Sequence, residues 1–312
     1  MSMLTATVTK IVPLTDRVSE FTLHGKDLPD FAPGAHIRVQ LPDGESRAYS
    51  LIRTGAQSGP PDSYTIAVQR EDDGKGGSRF MHRLKEGEAI RFEAPKCDFP
   101  LDAAAPAVLL AGGIGVTPLI SMATALEEAG QSFAFHYAGR SAPVMAYREA
   151  LADRFGARLH LHCDDDASAL NLDAVIAALG PAHLYLCGPR GMIDAALARA
   201  EAAGIPRDRV HVELFDNAQP VQGETAFEVE LSSSGQVFTV APGQSIIDAL
   251  EAGGIDVLYD CRRGDCGICQ CGVIEGTPDH RDVVLTADEK AAGKVMQICV
   301  SRAKTPRLVL DL

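Results

Sequence analysis

The chain has 312 residues, of which 46% are apolar and 23% charged, and its formal net charge is −13. This length exceeds what one hydrophobic core usually serves, so we expect two or three domains. The negative charge argues against nucleic acid as a partner. No stretch approaches the roughly 20 apolar residues of a membrane span, and the N-terminus has no apolar signal-peptide core. We therefore expect a cytoplasmic protein with no membrane partner, in which thiols stay reduced.

Residues 1–100 carry the alternation of apolar and polar residues that is typical of strands. Segments such as "VSEFTLHG" and "YTIAVQRE" show this period of two and are separated by turns such as "PDG". One short helix is predicted after "GKGGS", with Ser78 as its N-cap. The pattern predicts a small antiparallel β-barrel domain.

Residues 101–216 change to strands that alternate with helices. The buried-strand run "PAVLLAGG" is followed by the helical "TPLISMATALEEAG", and the alternation continues to a fifth strand in "VHVELF". Further helices are predicted near 145–154, near 171–179 and in "GMIDAALARAEAAG". This order predicts an α/β domain whose parallel sheet has helices on both faces.

The last part of the chain begins with a polar segment, 217–226, that is predicted to be a linker. Residues 227–312 are predicted to form a separate α+β domain. "FEVELSSSGQVFTV" predicts a hairpin, "SIIDALEAGG" a short helix that ends at glycine, and "PRLVLDL" a final strand.

The segment "CRRGDCGICQCG" at 261–272 contains four of the eight cysteines. Three of them follow the spacing C-x4-C-x2-C, and a further cysteine lies 30 positions after the third. This is the plant-type ligand spacing of a [2Fe–2S] cluster, in which a tight loop supplies three thiolates and a separate element supplies the fourth. The predicted metal ligands are Cys261, Cys266, Cys269 and Cys299.

Two other uses of these cysteines are a zinc site and a set of disulfides. A structural zinc site usually takes paired C-x2-C motifs, and the second pair is missing here. Disulfides are not expected in the cytosol. Cys271 would be a fifth thiol with no place on a four-thiolate cluster. The isolated Cys97, Cys163 and Cys187 are by default small buried apolar residues.

The segment "LLAGGIGVTPLISM" places a glycine-rich turn between a strand and a helix. Gly113, Gly115 and Pro118 fit G-x-G-x-x-P, and not the G-x-G-x-x-G of the dinucleotide fingerprint. Alone, this turn is equally an ordinary strand–helix connection. "LCGPRGM" is a second glycine turn after another predicted parallel strand, and ligands bind at the carboxyl ends of such strands. Together the two turns predict a nucleotide-cofactor site.

In the first domain, "RAYSL" places Arg47 and Tyr49 on one face of a strand. An arginine and an aromatic ring there can pair with a phosphate and stack on a ring system. An ordinary surface strand gives the same pattern. "GGS" at 76–78 indicates a helix start, which is either an anion site or merely a cap.

Taken in order, "RAYSL", "GGS", "GGIGVTP", "CGP", "VELF" and "CRRGDCGIC" with Cys299 resemble the phthalate dioxygenase reductase family from end to end, and vanillate O-demethylase reductases above all. The resemblance implies an FMN-binding barrel at 1–100, like that of ferredoxin–NADP reductases. It further implies an NAD-binding α/β domain at 101–216 and a β-grasp ferredoxin domain at 227–312. The implied cofactors are FMN, NADH and a [2Fe–2S] cluster.

The resemblance also implies roles for single residues around the flavin. Arg47 would contact the FMN phosphate, Tyr49 would pack on the isoalloxazine, and Ser50 would lie near its N5 atom. The phosphate would also be held at a helix start. The residues implied there are Gly77 and Ser78.

On the nucleotide side, the resemblance implies a nicotinamide site made by the two glycine turns. The residues implied to line it are Gly113, Gly115, Thr117, Cys187 and Gly188. Phe215 would cover the flavin face where nicotinamide enters, unless it is a core residue. The implied catalytic residues are Ser50, Cys187 and Phe215.

By the same resemblance, electrons pass from NADH through FMN and the cluster, one at a time, to a terminal oxygenase. A Rieske non-haem iron oxygenase is expected, with a haem monooxygenase as the alternative. The resemblance favours NADH over NADPH: "CDDD" at 163–166 would repel a 2′-phosphate, whereas Arg140 and Ser141 would meet one. Other hypotheses are a stand-alone NADH-dependent flavin reductase, and a redox sensor or zinc-stabilised interaction module.

Overall fold

The computed structural model describes residues 3–55, 59–74, 76–215 and 223–312. The chain divides into two compact units, Met1–Glu213 and Leu214–Leu312. No helix within the described ranges is both long and apolar enough to cross a membrane.

The first unit begins with a seven-stranded antiparallel sheet. Its strands are β1 (Met3–Pro13), β2 (Val18–His24), β3 (Ala35–Gln40), β4 (Ser46–Ser50), β5 (Ser63–Gln69), β6 (Ala89–Glu93) and β7 (Lys96–Cys97), with helix α1 at Gly77–Met81. They pair in the order β4-β3-β6-β1-β2-β5, and β7 pairs with β3. Alternate residues, such as Val8, Leu23 and Ile37, point into one fully buried apolar core. The predicted antiparallel architecture of this region is confirmed.

The predicted capping role of Ser78 is wrong. Helix α1 begins at Gly77, and the residue before it, Gly76, has the left-handed φ of 92° that glycine adopts without strain. Ser78 lies inside the helix, where its hydroxyl oxygen accepts the N–H of Glu71 at 3.0 Å. The hydroxyl therefore fixes the preceding loop to the helix.

The same unit continues with a five-stranded parallel sheet. Its strands are β8 (Ala107–Gly112), β9 (Phe133–Gly139), β10 (Leu159–Cys163), β11 (His183–Cys187) and β12 (Val210–Glu213). Its helices are α2 (Val116–Glu128), α3 (Arg148–Phe155), α4 (Leu172–Ala177) and α5 (Arg190–Ala202). The strand order β10-β9-β8-β11-β12 changes direction between β8 and β11. That change makes the carboxyl ends of β8 and β11 the switch point where open α/β sheets bind ligands.

Alternate residues of the parallel strands enter two apolar clusters, as a sheet covered on both faces requires. Leu109 of β8 belongs to one cluster and its neighbour Leu110 to the other. The Leu109 cluster also contains Val18 and Ala67 of the antiparallel sheet, and Ile52 from the segment that follows β4. This shared core explains why the two sheets form a single compact unit.

The second unit is built on a mixed five-stranded sheet. In its described residues, the unit as a whole has seven strands and two helices. The strands are β13 (Phe227–Leu231), β14 (Val237–Val240), β15 (Gln270–Glu275), β16 (Pro278–Asp279), β17 (Val295–Gln297), β18 (Arg302–Ala303) and β19 (Arg307–Asp311), and the helices are α6 (Ile246–Ala252) and α7 (Ala287–Ala292). The order is β14-β13-β19-β15-β17, and β13 and β19 are parallel. β16 and β18 form a separate pair. The predicted hairpin, helix and final strand are confirmed.

Part of the predicted linker 217–226 lies outside the described residues, namely 217–222. Beyond it, Glu224 is anchored in the second unit, with a side chain only 6% exposed. Its carboxylate pairs with Arg281 at 2.5 Å and Arg302 at 3.5 Å, and accepts the N–H of Gly243 at 2.9 Å. Residue 224 therefore belongs to the packed body of this unit.

Three histidines of the parallel sheet predict an acid-sensitive first unit. Nδ1 of His136 lies 3.0 Å from Nε2 of His162, and the rings of His136 and His160 stack at 4.7 Å. Burial, and then the charges of His160 and His162, lower the pKa of His136 from 6.5 to about 4. The folded form therefore binds fewer protons than the unfolded form between these values, so stability falls as pH decreases through that window.

We expect the His136→Gln variant to lose less stability than the parent on going from pH 7 to pH 5. The expected difference is about 1 kcal/mol, since the half-exposed ring is screened by water. Urea unfolding of both proteins at the two pH values measures it. Identical losses in parent and variant would contradict the assignment to His136.

Candidate functional site

The four cysteines of the predicted metal site converge in the second unit. The Cys261 thiol lies close enough to the thiols of Cys266 and Cys299 for them to shift its pKa, and the Cys269 thiol likewise lies close to that of Cys299. Cys261, Cys269 and Cys299 are buried, and Cys266 is half-buried. Thiols from one loop and from a distant segment thus meet at one place, as a four-thiolate site requires.

The number and spacing of these donors fit a [2Fe–2S] cluster. Three cysteines of one loop and a fourth from a distant segment match the plant-type arrangement, whereas a structural zinc site usually takes paired C-x2-C motifs. Elsewhere in the described ranges, Cys163, Asp165 and Asp166 bring their candidate ligand atoms within 4.8 Å of one another.

The thiols shift one another's pKa, and backbone N–H groups face them. The neighbouring Cys266 and Cys299 thiols lower the pKa of the Cys261 thiol, and Cys261 in turn raises the pKa of Cys266 and of Cys299. The Arg263 N–H donates to the Cys261 sulfur at 3.3 Å, and the Ile268 N–H donates to that of Cys266. Such donors stabilise thiolates and orient them toward a metal.

Left-handed backbone closes the cysteine loop around its sulfurs. Gly264 and Gly267 have φ of 82° and 80°, and a Cβ on Gly264 would lie 2.6 Å from Cγ2 of Val300. Glycine is therefore required at 264 both for its dihedral angle and for its closeness to the turn after β17, which carries the fourth cysteine.

Arg262 also has a positive φ, 54°, which is uncommon for a residue with a side chain. Its guanidinium donates to Asp248 at 2.8 Å and Glu251 at 2.7 Å, and lies 4.2 Å from the Tyr259 ring centre. These contacts tie the cysteine loop to α6 and hold the unusual backbone in place.

A buried ion pair inside the loop was not predicted from the sequence. Arg263 lies 3.2 Å from Asp265, and the Asp265 carboxylate accepts the N–H of Leu214 at 2.9 Å. Burial raises the pKa of Asp265 to about 7. The charged run "RRGD" could have indicated an ion pair within the loop. The contact of Asp265 with Leu214 could not be predicted, because the two residues are 51 positions apart in the sequence.

Cys271 lies outside the four-thiol set. It is buried on β15, and its thiol donates to the carbonyl of Gly272 at 3.3 Å. Burial raises its pKa to about 11. The Cys271 thiol is thus satisfied by a backbone carbonyl of its own strand.

In the first unit, the two predicted glycine turns pack against each other at the ends of β8 and β11. A Cβ on Gly115 would lie 2.2 Å from the Cys187 carbonyl oxygen, and one on Gly188 would lie 2.8 Å from the Gly112 nitrogen. Cys187 is fully buried. Thr117, in the first turn of α2, donates its hydroxyl to the Ile114 carbonyl at 3.0 Å. Gly113 has a left-handed φ of 54° and open space around it.

Strand β4 and the start of α1 bring the predicted phosphate residues together. A Cβ on Gly77 would lie 2.5 Å from Cγ of Arg47, so only glycine allows this approach. The Arg47 guanidinium donates to the Ser46 carbonyl at 2.7 Å and remains 28% exposed. A cradle of this kind, with a partly exposed cation at a helix start, fits a phosphate.

Tyr49 and Ser50 occupy the end of β4. Tyr49 is half-buried against the antiparallel core; burial raises its pKa, and the nearby Arg47 charge opposes this. Ser50 is buried. Phe215, assigned to the second unit, is 40% exposed and so is not a core residue.

Comparison with known proteins agrees with this arrangement. The family described as a 2Fe-2S iron-sulfur cluster binding domain matches residues 229–304. The tetrachlorobenzoquinone reductase of Sphingobium chlorophenolicum is 41% identical over 100% of this chain and 99% of the relative. The carnitine monooxygenase reductase subunit of Acinetobacter baumannii is 38% identical over 99% and 98%. Among solved structures, phthalate dioxygenase reductase matches with a TM-score of 0.70 and 34% identity, over 100% of this chain and 98% of that one.

An antiparallel flavin-type sheet, a parallel nucleotide-type sheet and a cysteine-loop unit in one chain define an iron–sulfur flavoprotein reductase. The chain belongs to the phthalate dioxygenase reductase family. The family predicted from the motifs is therefore confirmed.

The contact between the glycine turns predicts opposite effects for two glycine substitutions. Gly115→Ala is expected to lower the free energy of unfolding by about 1–3 kcal/mol, because its methyl group overlaps the Cys187 carbonyl. Gly191→Ala is the matched control, since a Cβ there meets nothing within 4 Å and α5 gains up to about 1 kcal/mol of helix propensity. Urea unfolding measures both. Equal stabilities would show that the turns do not pack as described.

Proposed function

We propose that this chain takes electrons from NADH through FMN and a [2Fe–2S] cluster and delivers them one at a time to a separate terminal oxygenase. The observation that most directly supports this proposal is the convergence of four thiols within the residues that match the cluster-binding family. The solved phthalate dioxygenase reductase is described as a modular structure for electron transfer from pyridine nucleotides to [2Fe–2S]. We assign 1–100 to FMN, 101–216 to NADH and 227–312 to the cluster.

In this proposal the metal ligands are the four converging thiolates. Backbone N–H groups of Arg263 and Ile268 donate to two of the sulfurs and stabilise their negative charge. The proposed ligands are Cys261, Cys266, Cys269 and Cys299.

The proposed flavin site uses the cradle at β4 and α1. Arg47 provides the positive charge for the FMN phosphate, Gly77 leaves room for the Arg47 side chain at the start of α1, and Ser78 is the next residue of that helix. Tyr49 packs on the flavin ring, and Ser50 lies at its reacting edge. A bound FMN supplies the chemistry of accepting a hydride and releasing single electrons.

The proposed nicotinamide site lies at the switch point of the parallel sheet. Its backbone comes from Gly113 and Gly115 with Thr117, and from Cys187 with Gly188. Fully buried, Cys187 closes the base of the site, and exposed Phe215 is the residue we assign to the flavin face. We propose NADH over NADPH, as the family resemblance implies; the aspartates at 164–166 would repel a 2′-phosphate, whereas Arg140 would attract one.

We propose a Rieske non-haem iron oxygenase as the acceptor. Support comes from the Acinetobacter baumannii relative, which is named a monooxygenase reductase subunit, and from the dioxygenase in the name of the matching structure. A quinone is a second candidate acceptor, favoured by the name of the relative that is 41% identical over the whole chain. Reduction of a benzoquinone by the holoprotein, with and without an intact cluster, separates these acceptors.

Replacing one proposed ligand should remove the cluster and leave the flavin reaction. We expect Cys266→Ser to lose most iron and acid-labile sulfide and to stop reducing cytochrome c, yet still to reduce ferricyanide with NADH. Cys271→Ser is the matched control, a buried neighbouring thiol outside the set, and should keep both contents. A full complement of iron and sulfide in Cys266→Ser would refute the ligand assignment.

The proposed phosphate contact predicts a loss of FMN affinity. Removing a charge-assisted hydrogen bond costs about 1.5–3 kcal/mol, so Arg47→Ala should raise the FMN dissociation constant about 10- to 100-fold. Arg38→Ala, on the adjacent strand with its guanidinium 3.9 Å from Glu93, is the control. Quenching of FMN fluorescence on titration with FMN-free protein measures both. Unchanged affinity in Arg47→Ala would exclude the contact.

A further inference from the structure

Two buried hydroxyls of α2 contact the segment that directly follows β4. Ser121 donates its hydroxyl to the Leu51 carbonyl at 2.8 Å and accepts the Arg53 N–H at 2.8 Å. Thr124 donates its hydroxyl to the Arg53 carbonyl at 3.0 Å. Ser121 is 1% exposed and Thr124 is fully buried. One turn of α2 therefore satisfies three backbone groups of an extended segment, as a neighbouring strand would.

The other edge of this segment is bound to the antiparallel sheet. The Leu51 N–H donates to Ala35 at 2.9 Å, and the Ile52 N–H donates to Thr65 at 2.8 Å. Residues 51–53 are thus hydrogen-bonded to β-structure on one side and to a helix of the parallel sheet on the other. A third contact comes from Arg154, which donates to the Thr54 carbonyl and is itself held by Glu127 at 3.1 Å.

Residues 51–53 connect the two halves of the proposed redox site, namely the end of β4 on the flavin side and the start of α2 on the nicotinamide side. Leu51 follows Ser50 directly, and Ser121 lies four residues after Thr117, about 6 Å along the helix axis. Strand and helix are both rigid over such short lengths. The position of the glycine turn relative to the end of β4 is therefore set through the Ser121 and Thr124 hydroxyls.

We propose that Ser121 and Thr124 are positioning residues that set the nicotinamide site against the flavin site. The inference rests on the proposed function and extends it to residues that touch neither cofactor. Hydride transfer needs reacting atoms about 3–3.5 Å apart, and a misplacement of about 1 Å can cost 100-fold in rate. A buried link with three hydrogen bonds restricts such misplacement, whereas apolar packing alone permits sliding between the two sheets.

The test compares Ser121→Ala/Thr124→Val with the conservative Thr124→Ser and with Asn171→Ala. Valine keeps the volume of Thr124 without its hydroxyl, and serine keeps the hydroxyl. Asn171 caps α4 of the same sheet, where its carboxamide oxygen accepts the Ala174 N–H at 3.0 Å. Asn171→Ala therefore removes a helix-capping hydrogen bond elsewhere in the same sheet and controls for a general loss of stability.

In anaerobic stopped-flow, the double variant should reduce its FMN with NADH at least 10-fold more slowly, with KM for NADH changed less than threefold. Thr124→Ser and Asn171→Ala should stay within threefold of the parent rate. In ligand-free protein, amide exchange of 51–54 should accelerate in the double variant, while that of Phe133–Gly139 should not.

A double variant within threefold of Asn171→Ala overturns the proposal, and so does a 10-fold loss in Asn171→Ala itself, which would assign the effect to stability. Unchanged exchange at 51–54 also overturns it. If the parent holoprotein is not reduced by NADH, the proposed function fails. The exchange experiment still decides whether the hydroxyls hold the segment.

Discussion

The structure of the second unit depends on the convergence of four cysteines in a largely buried place, and a proposed cluster there would require them as thiolates. Negative charge out of water must be met by donors or by a cation. Here the Arg263 N–H of the loop itself donates to the Cys261 sulfur, and the loop turns at Gly264 and Gly267 with left-handed angles. The pairing of Arg263 with Asp265 and the attachment of Arg262 to α6 then hold a loop that has little regular structure of its own.

In the first unit too, glycines allow backbone and side chains to approach one another closely at the proposed sites. At the carboxyl ends of β8 and β11, glycines let two turns approach so closely that any side chain on Gly115 would overlap a carbonyl. At β4, Gly77 admits the Arg47 side chain. In both places the absence of a side chain lets two elements approach more closely than any other residue would allow.

Local patterns predicted what is local in this chain. Period-two alternation located the strands, strand–helix alternation predicted the parallel sheet, and the cysteine spacing predicted which thiols meet. The sequence did not reveal contacts between distant residues, such as Asp265 with Leu214 or Ser121 with Leu51, which are 51 and 70 positions apart. Ser78 is not the predicted cap, because the helix begins one residue earlier, after Gly76. The Ser78 hydroxyl instead accepts the Glu71 N–H of the preceding loop.

The distribution of polar contacts follows the two kinds of transfer that the proposal requires. A hydride moves only between atoms nearly in contact, so the two sheets of the first unit must be fixed to each other. They share an apolar cluster and the buried hydroxyl link at 51–53. A single electron tolerates a wider gap. The second unit accordingly completes its own ion pairs: each of its five arginines lies within 4.0 Å of a carboxylate of the same unit. The constraint on precise geometry thus falls on the first unit, where two cofactors must meet.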